Sequence, residues 1–449
     1  MAQISEITVE DLLKHQRIDA EFFQPKFLDA ERKVVSFSKK IQIKKVIHPN
    51  EFKRVYQENG LQILLAQNVR DNCLDFSTTM FADPVLKNDL KRNKVNYDDV
   101  LMTRSGANFG QTAVYKFENA EIYACADVLI IRSQEIAGGY LSTFLNSKYG
   151  KSLINRGVYG AAQPHIAPSY LYSLEVPQLN KEFEIKIDQI TNDAFYKQEQ
   201  STSLYAQAQQ LLLQELGLDD FTPEWVTGYE IDHDSVLGGA RMDAEYFQPK
   251  YEIVKNKIRA VDHDTLGNLV KPLKKGIEVG SEAYAEEGIP FLRVSNIEKF
   301  RIDNSSEQYI SKELYEELKD KFCPQKSEIL LSKDGTPGIA YFLTEEVKTI
   351  ISGGIVRLKS VEVEPEYLTL VLNSLIVQTQ IEQDAGGALI KHWRPDQIKT
   401  TLIPILPKEV RAKIVAMVQE SFSALHESRQ LLKQAKRAVE EMIEAKASF

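Results

Sequence analysis

Residues that could do chemistry occur at several places in this chain, and their spacing decides what each could do. Gly106–Thr112 reads Gly-Ala-Asn-Phe-Gly-Gln-Thr. It has the glycines of a phosphate-binding loop, but the spacing is wrong and Gln111 stands where the phosphate-reaching lysine belongs, so a plain turn is expected. Asp232-His233-Asp234 and Asp262-His263-Asp264 carry metal-ligand types. Each is a run of adjacent residues without distant partners, and both read as solvated acidic turns. Pro395-Asp396 lacks the downstream Glu-x-Lys of a metal-dependent nuclease. No Pro-Pro dipeptide occurs, which removes the Asn/Asp-Pro-Pro-aromatic signature of amino-group methyltransferases, and neither GxGxxG nor HExxH is present. Cys73, Cys125 and Cys323 lie far apart, so a disulfide framework or a zinc site is not expected. What remains is recognition chemistry. Lys39–Arg54 concentrates Lys39, Lys40, Lys44, Lys45, Lys53 and Arg54 against Glu51 alone, a composition suited to phosphate contact.

The elements that must position these groups occur twice. Arg17–Phe27 (RIDAEFFQPKF) and Arg241–Tyr251 (RMDAEYFQPKY) share eight of eleven residues at an offset of 224. Gly60–Val69 pairs with Gly288–Ile297 at 228, and Asp99–Gly106 with Glu328–Gly335 at 229. Tyr140–Ser147 pairs with Tyr367–Ser374, and Gly160–His165 with Gly387–His392, both at 227. Five ordered matches make a duplication. The period is too long for a solenoid and implies two homologous domains, each followed by a connector, related by a pseudo-two-fold axis.

Each half ends in a Pro- and Gly-free segment rich in helix formers, roughly residues 181–216 and 408–447. Val418, Leu425, Leu432 and Val439 recur every seven residues, with Ile414, Ser421, Ser428, Ala435 and Met442 opposite. In the first segment Ile190, Leu204 and Leu211 hold the seam, interrupted by Lys197, with Ile187, Ala194, Ser201 and Ala208 opposite. The expected interface of an antiparallel coiled coil is therefore Ile187, Ile190, Leu204, Leu211, Ile414, Val418, Leu425, Leu432 and Val439. A helix of 36 residues is about 54 Å long, so such a pair would act as a spacer. Between these segments lie β-rich runs at 61–65, 100–103, 127–132, 291–294, 329–332 and 354–358, with helical patches at 312–319 and 366–383. The fold class is α+β. The expected boundaries are a first domain at 1–178, a connector helix at 179–219, a linker with the second domain at 220–406, and a second connector helix at 407–449.

The chain has 449 residues and a formal net charge of −9, which on its face argues against a nucleic-acid partner. The charge is localised. Residues 178–235 carry 3 basic against 12 acidic side chains, a net of −9, while 1–177 carry +2 and 236–449 carry −2. No apolar run approaches the ~18 residues of a membrane span, and the N-terminus lacks a basic head and apolar stretch. With sparse cysteines, this points to the cytoplasm.

The pattern resembles the specificity (S) subunit of Type I restriction-modification enzymes over essentially the whole chain. The resemblance rests on the RIDAEFFQPKF/RMDAEYFQPKY duplication, the Gly288–Ile297 run, and the strand–turns at Asp99 and Glu328. It also rests on the end signature Gly160–Ile166, followed by Leu174-Glu175-Val176-Pro177 and a helix. The second copy departs there, reading GALIKH without the Gln-Pro pair. The resemblance implies two target-recognition domains, each reading half of a bipartite double-stranded DNA site, with the helix pair setting the gap. It further implies that two modification subunits dock on the chain and methylate adenine. Restriction subunits would add translocation and cleavage. S-adenosylmethionine, ATP and Mg would belong to those partners, and this chain would have no catalytic residue, no cofactor, no metal and no membrane association. A coiled-coil scaffold with protein partners only is the alternative reading, as is a self-contained methyltransferase–nuclease with diverged motifs.

On that reading, forked donors in turns are the base-reading candidates, because Arg and Lys suit guanine while Asn and Gln suit adenine. They are Arg70, Arg104, Gln163 and His165 in the first half, and Arg293, Asn296, Lys333, Lys391, His392 and Arg394 in the second. The near-identity of Arg17–Phe27 and Arg241–Tyr251 argues against base discrimination. Those segments are expected to be shared scaffold or a partner surface.

Overall fold

A computed structural model of the chain describes residues 5–15, 17–76, 78–106, 108–118, 120–160, 164–231, 243–303, 308–385 and 391–447. Asp232-His233-Asp234, Arg241, Met242, Gln163 and Gly387–Ile390 lie outside the described residues.

The chain forms two compact units. One comprises residues 1–199 and 425–449, the other 200–424. This division differs from the sequence expectation, because each long helix is shared: its first part packs into one core and its second into the other.

In the first unit, one four-stranded sheet runs in the order Val46–Ile47, Val128–Ile131, Val100–Thr103, Thr112–Val114, all antiparallel. A second runs Ile122–Ala124, Leu61–Leu64, Met80–Ala82, Tyr56–Gln57, with the first pair parallel. Side chains alternate across a strand, and the cores follow that rule. Val100, Met102, Leu129 and Ile131 pack on helices, while Leu101, Val128 and Ile130 pack against the second sheet's Leu61 and Ile63. Burial on both faces explains why Val-Leu-Met-Thr shows no polar alternation.

The second unit repeats this order. Its sheets run Val270–Lys275, Ile355–Ser360, Ile329–Ser332, Ala340–Phe342, and Ile350–Ile351, Ile289–Leu292, Gln308–Ile310, Tyr284–Ala285. The parallel pair recurs between Ile289–Leu292 and Ile350–Ile351. Ile329 and Leu331 face helices, and Leu330 faces the other sheet.

The repeated motifs turn out to be local structural devices. Asp99 and Glu328 follow residues with φ of 69°, accept the backbone N–H of Asn96 and Gln325, and pair with Arg132, just past the adjacent strand, and with Arg357 on it. Tyr140 and Tyr367 donate to the carbonyls of Pro177 and Pro404 at 2.7 and 2.9 Å, tying a helix to the strand that enters each long helix. Gly60 and Gly288 have φ of 147° and 150°, and a Cβ there would lie 2.2 and 2.3 Å from a neighbouring carbonyl oxygen. Only glycine fits.

Two sequence expectations are corrected. His263 and Asp264 lie in a strand, His263–Thr265, paired with Leu402–Pro404, and not in an exposed acidic turn. The patch at 366–383 is two helices, Pro365–Leu372 and Leu375–Asp384, because Asn373 turns back to the Ala340 strand edge through two hydrogen bonds.

The long helices span Lys181–Glu215 and Lys408–Ala447. In the first unit Ile187 and Phe195 share a core with Ala435, Val439 and Ile443, and Lys197 pairs with Glu427 at 2.6 Å. In the second, Ala208 and Leu212 share a core with Ile414 and Val418. There Ser201 and Ser421 meet hydroxyl to hydroxyl at 3.0 Å, and the Ser421 hydroxyl lies 2.8 Å from the Ser201 carbonyl. The seam centres on the small series. Ile187, Ala194, Ser201 and Ala208 are buried, as are Ile414, Ser421, Ser428 and Ala435. Ile190, Leu204, Leu211, Leu425 and Leu432 are only half-buried and flank it, while Val418 and Val439 are fully buried. Small residues let the backbones approach closely, and close approach pushes the leucines to the sides.

Candidate nucleic-acid interface

In each unit, backbone hydrogen bonds bring together two candidate segments that lie about 60 residues apart in sequence. The Val100–Thr103 strand ends at Arg104, whose N–H donates to Asp127 O at 2.8 Å and whose carbonyl accepts from Ile166 N at 3.0 Å. Ser105 bridges to His165, and Gly106 N donates to Pro164 O. Arg104 and His165 therefore share one turn.

The second unit repeats the construction. Lys333 N donates to Gly354 O at 2.9 Å and Lys333 O accepts from Trp393 N at 2.8 Å. Asp334 pairs with His392 and Gly335 with Lys391 as an antiparallel ladder. Ile166 and Trp393 anchor the returning segment, each with 0% exposure. Lys391, His392 and Arg394 are exposed. Arg394 also caps the helix Pro395–Thr400 through Gln397 and lies 3.3 Å from Asp396.

Side chains around the first turn are tightly organised. Asp127 accepts from Ser105 Oγ at 3.0 Å and from Arg54 Nη2 at 2.8 Å. Burial pushes the Asp127 carboxyl up, but hydrogen bonds from Arg54 and Ser105 outweigh it and hold it below its usual value. Burial, followed by the nearby Arg104 charge, lowers the His48 imidazole, and Arg92 adds to that effect. Arg92 and Arg104 thus lie near a His48 held towards its neutral form, and Arg54 is paired with Asp127. The Tyr159 ring, 45% exposed, lies 5.8 Å from the His165 ring. His48, Arg92 and Tyr159 were missed in the sequence because folding alone joins them; the only local signal was an aromatic just before Gly160. In the second unit Lys274 and Lys275 are exposed and lie in register with Arg357 and Val356, at the Lys333 end of the sheet.

Other candidates do not join these turns. Val46 opposes Ile131, whereas Arg104 follows Thr103, which opposes Val128. At about 3.3 Å per residue, Lys44 and Lys45 lie roughly a strand length from Arg104. Lys44 pairs with Glu135, and Lys40 lies 3.3 Å from Glu175; Lys39 and Lys45 are exposed. The basic run is therefore split, and of the residues in it Arg54 reaches the turn. Arg70 sits on a separate hairpin, Val69–Arg70 with Cys73–Leu74, docked where Asn72 N donates to Thr112 O. Arg293 and Asn296 frame a turn. Asn296 is 1% exposed, its side-chain oxygen accepts from Arg293 N, and its amide donates to Asp303 O. Asn68 does the same between Leu65 and Asp75. A duplicated, buried amide of this kind builds the turn and is withdrawn from any base edge.

The duplicated Arg17 and Arg241 segments resolve similarly where described. Asp19 and Asp243 accept the backbone N–H of Phe22 and Tyr246, each at 3.1 Å, and Arg17 braces Asp19. Glu21 and Glu245 are exposed. Among the described residues no cluster of three or more metal-ligating side chains occurs, and no helix is long and apolar enough to cross a membrane.

No protein-family profile and no curated protein matches the chain. Among the solved structures that resemble it are three matched over 91% of its length. The S subunit of a Type-I restriction-modification system from M. genitalium is 12% identical, with 95% of that chain covered and a TM-score of 0.37. A structure described by complex assembly and conformational transition of the type I R-M system gives 13%, 97% and 0.28. The HsdS subunit from Thermoanaerobacter tengcongensis gives 14%, 96% and 0.26. Superpositions this loose assign no function to the chain by themselves.

Proposed function

We propose that this chain is the non-catalytic DNA-recognition subunit of a Type I restriction-modification complex. The observation that carries the reading is the doubled turn: one fold, used twice, presents Arg104 with His165 in one unit and Lys333 with Lys391 and His392 in the other. Each turn would enter a major groove and read one half-site, with Arg or Lys on guanine. Arg54 and Arg92, and Lys274 and Lys275, would hold phosphates beside them. Tyr159 offers a flat face next to His165. The long helices would pair as an antiparallel coiled coil between pseudo-symmetric domains and set the half-site gap.

Two modification subunits carrying S-adenosylmethionine would dock on the chain in the cytoplasm. Restriction subunits would supply ATP- and Mg-dependent steps. The exposed Glu21 and Glu245 beside the duplicated turns suit equivalent contacts with two copies of one partner. Methylome sequencing of cells expressing this chain with its modification subunit tests the reading. A split adenine motif is expected; loss of methylation specificity with the chain still bound to the modification subunit would support a protein scaffold instead.

A further inference from the structure

The two turns are built alike but differ in side-chain chemistry, and one difference faces the histidine. Ser105 in the first is Asp334 in the second. Ser105 spends its hydroxyl on Asp127, and His165 Nδ1 is buried without a hydrogen-bond partner among the described residues. In the second turn His392 Nδ1 lies 2.8 Å from Asp334 Oδ1, and Lys333 Nζ holds the other carboxylate oxygen. The backbone pairing of Asp334 with His392 fixes the two side chains on neighbouring strands.

We propose that Asp334 is a positioning residue that locks His392 in its Nδ1–H tautomer, so that the second turn presents Nε2 as an acceptor to an exocyclic amino group of a base. This rests on the DNA-recognition reading above. An ionised carboxylate can only accept a hydrogen bond, so the ring nitrogen facing it must carry the proton. Burial favours the neutral acid at Asp334, but hydrogen bonds from Lys333 and His392 outweigh that and keep the group below its usual value, hence ionised at neutral pH. In a neutral imidazole the other nitrogen is then a bare acceptor. The His392 side chain is 58% exposed, which leaves that edge open to a partner. Adenine N6 and cytosine N4 are the major-groove donors it fits. Lys391, exposed next to His392, remains a donor for guanine or phosphate. His165 lacks the carboxylate, so the two half-sites are read with different chemistry.

Two measurements decide the matter. The complex of the full chain with its modification subunits selects duplexes from a randomised library. Wild type is expected to restrict one position of one half-site, showing whether adenine or cytosine is read there. Asp334→Ala is expected to lose about tenfold discrimination at that position alone. An unchanged Asp334→Ala motif would overturn the inference while leaving DNA recognition standing; no enrichment by wild type would sink the recognition reading itself. Independently of DNA, ¹⁵N NMR of His392 at pH 8, assigned with His392→Gln, is expected to show protonated Nδ1 and bare Nε2. The reverse tautomer overturns the proposal even where Asp334→Ala does not fold.

Discussion

At the residue scale, the two halves carry residues of opposite charge type at the same place in the first turn of each long helix. Arg411, in the first turn of the second long helix, pairs with Glu364 at 2.6 Å and donates to Leu406 O. At the corresponding place in the first helix stands Glu184, 1% exposed, with Lys181 at 3.8 Å. Burial raises its carboxyl above the usual range, with Lys181 opposing. The folded state thus binds this proton more tightly than the unfolded chain. The Glu184 contribution to stability should therefore fall as pH rises from about 4.3, the unfolded glutamate value, through the raised folded value. Glu184→Gln should stabilise the first unit by about 1 kcal/mol above that window, roughly 2–4 °C in Tm. Near pH 4 the gain should vanish, and melting curves at pH 4 and 8 check it. Arg104→Ala makes a second prediction. It should cost about 1–3 kcal/mol of discrimination at one base of one half-site, and leave the other half-site unchanged in a duplex-selection assay. Uniform weakening at every position would instead make Arg104 a phosphate contact.

At the element scale, the long helices show what a sequence displays and what it hides. Heptad spacing, helix ends and the small-residue series were all readable, because helix periodicity is local. Which series lies at the centre was not. Leu204, Leu211, Leu425 and Leu432 look like the seam by size, yet Ala194, Ser201, Ser421 and Ser428 are the buried ones. Contact distance between two helices is a tertiary quantity, and it selects small residues for the centre. The candidate site divides in the same way. Arg104 and His165, and Lys333 and His392, were found as separate motifs, whereas their meeting depends on strand pairing. Asn296 was misjudged because a buried turn-closing amide and a base-reading amide look identical in sequence. The serine contact is testable. Ser421→Ala should cost about 0.5–1.5 kcal/mol for its hydrogen bonds to Ser201. Ser421→Leu should cost more, since adding bulk at a close backbone approach typically costs about 1–3 kcal/mol through overpacking alone. Equal stability of the two variants in urea titrations would contradict the close approach.

At the scale of the whole molecule, the proposed function turns on a distance. The acidic excess of residues 178–235, 12 acidic against 3 basic side chains, falls on the first long helix and the segment after it. The net charge of −9 therefore does not oppose DNA binding by the turns. An acidic connector would also avoid adding phosphate contacts between two half-sites. If the helix pair is the spacer, a matched insertion changes the gap alone. Seven residues placed after Glu199 and seven after Ala424 lie at the division between the units and keep the small-residue series in phase. They add about 10.5 Å at 1.5 Å per residue, close to three base pairs at about 3.4 Å each. Methylome sequencing with the lengthened chain should return the same two half-sites separated by about three more base pairs. A motif with altered half-sites, or with the original gap, would take the spacing role away from these helices. A seven-residue insertion after Glu199 alone should abolish specific methylation, because it lengthens one helix without the other and puts their buried small-residue series out of step.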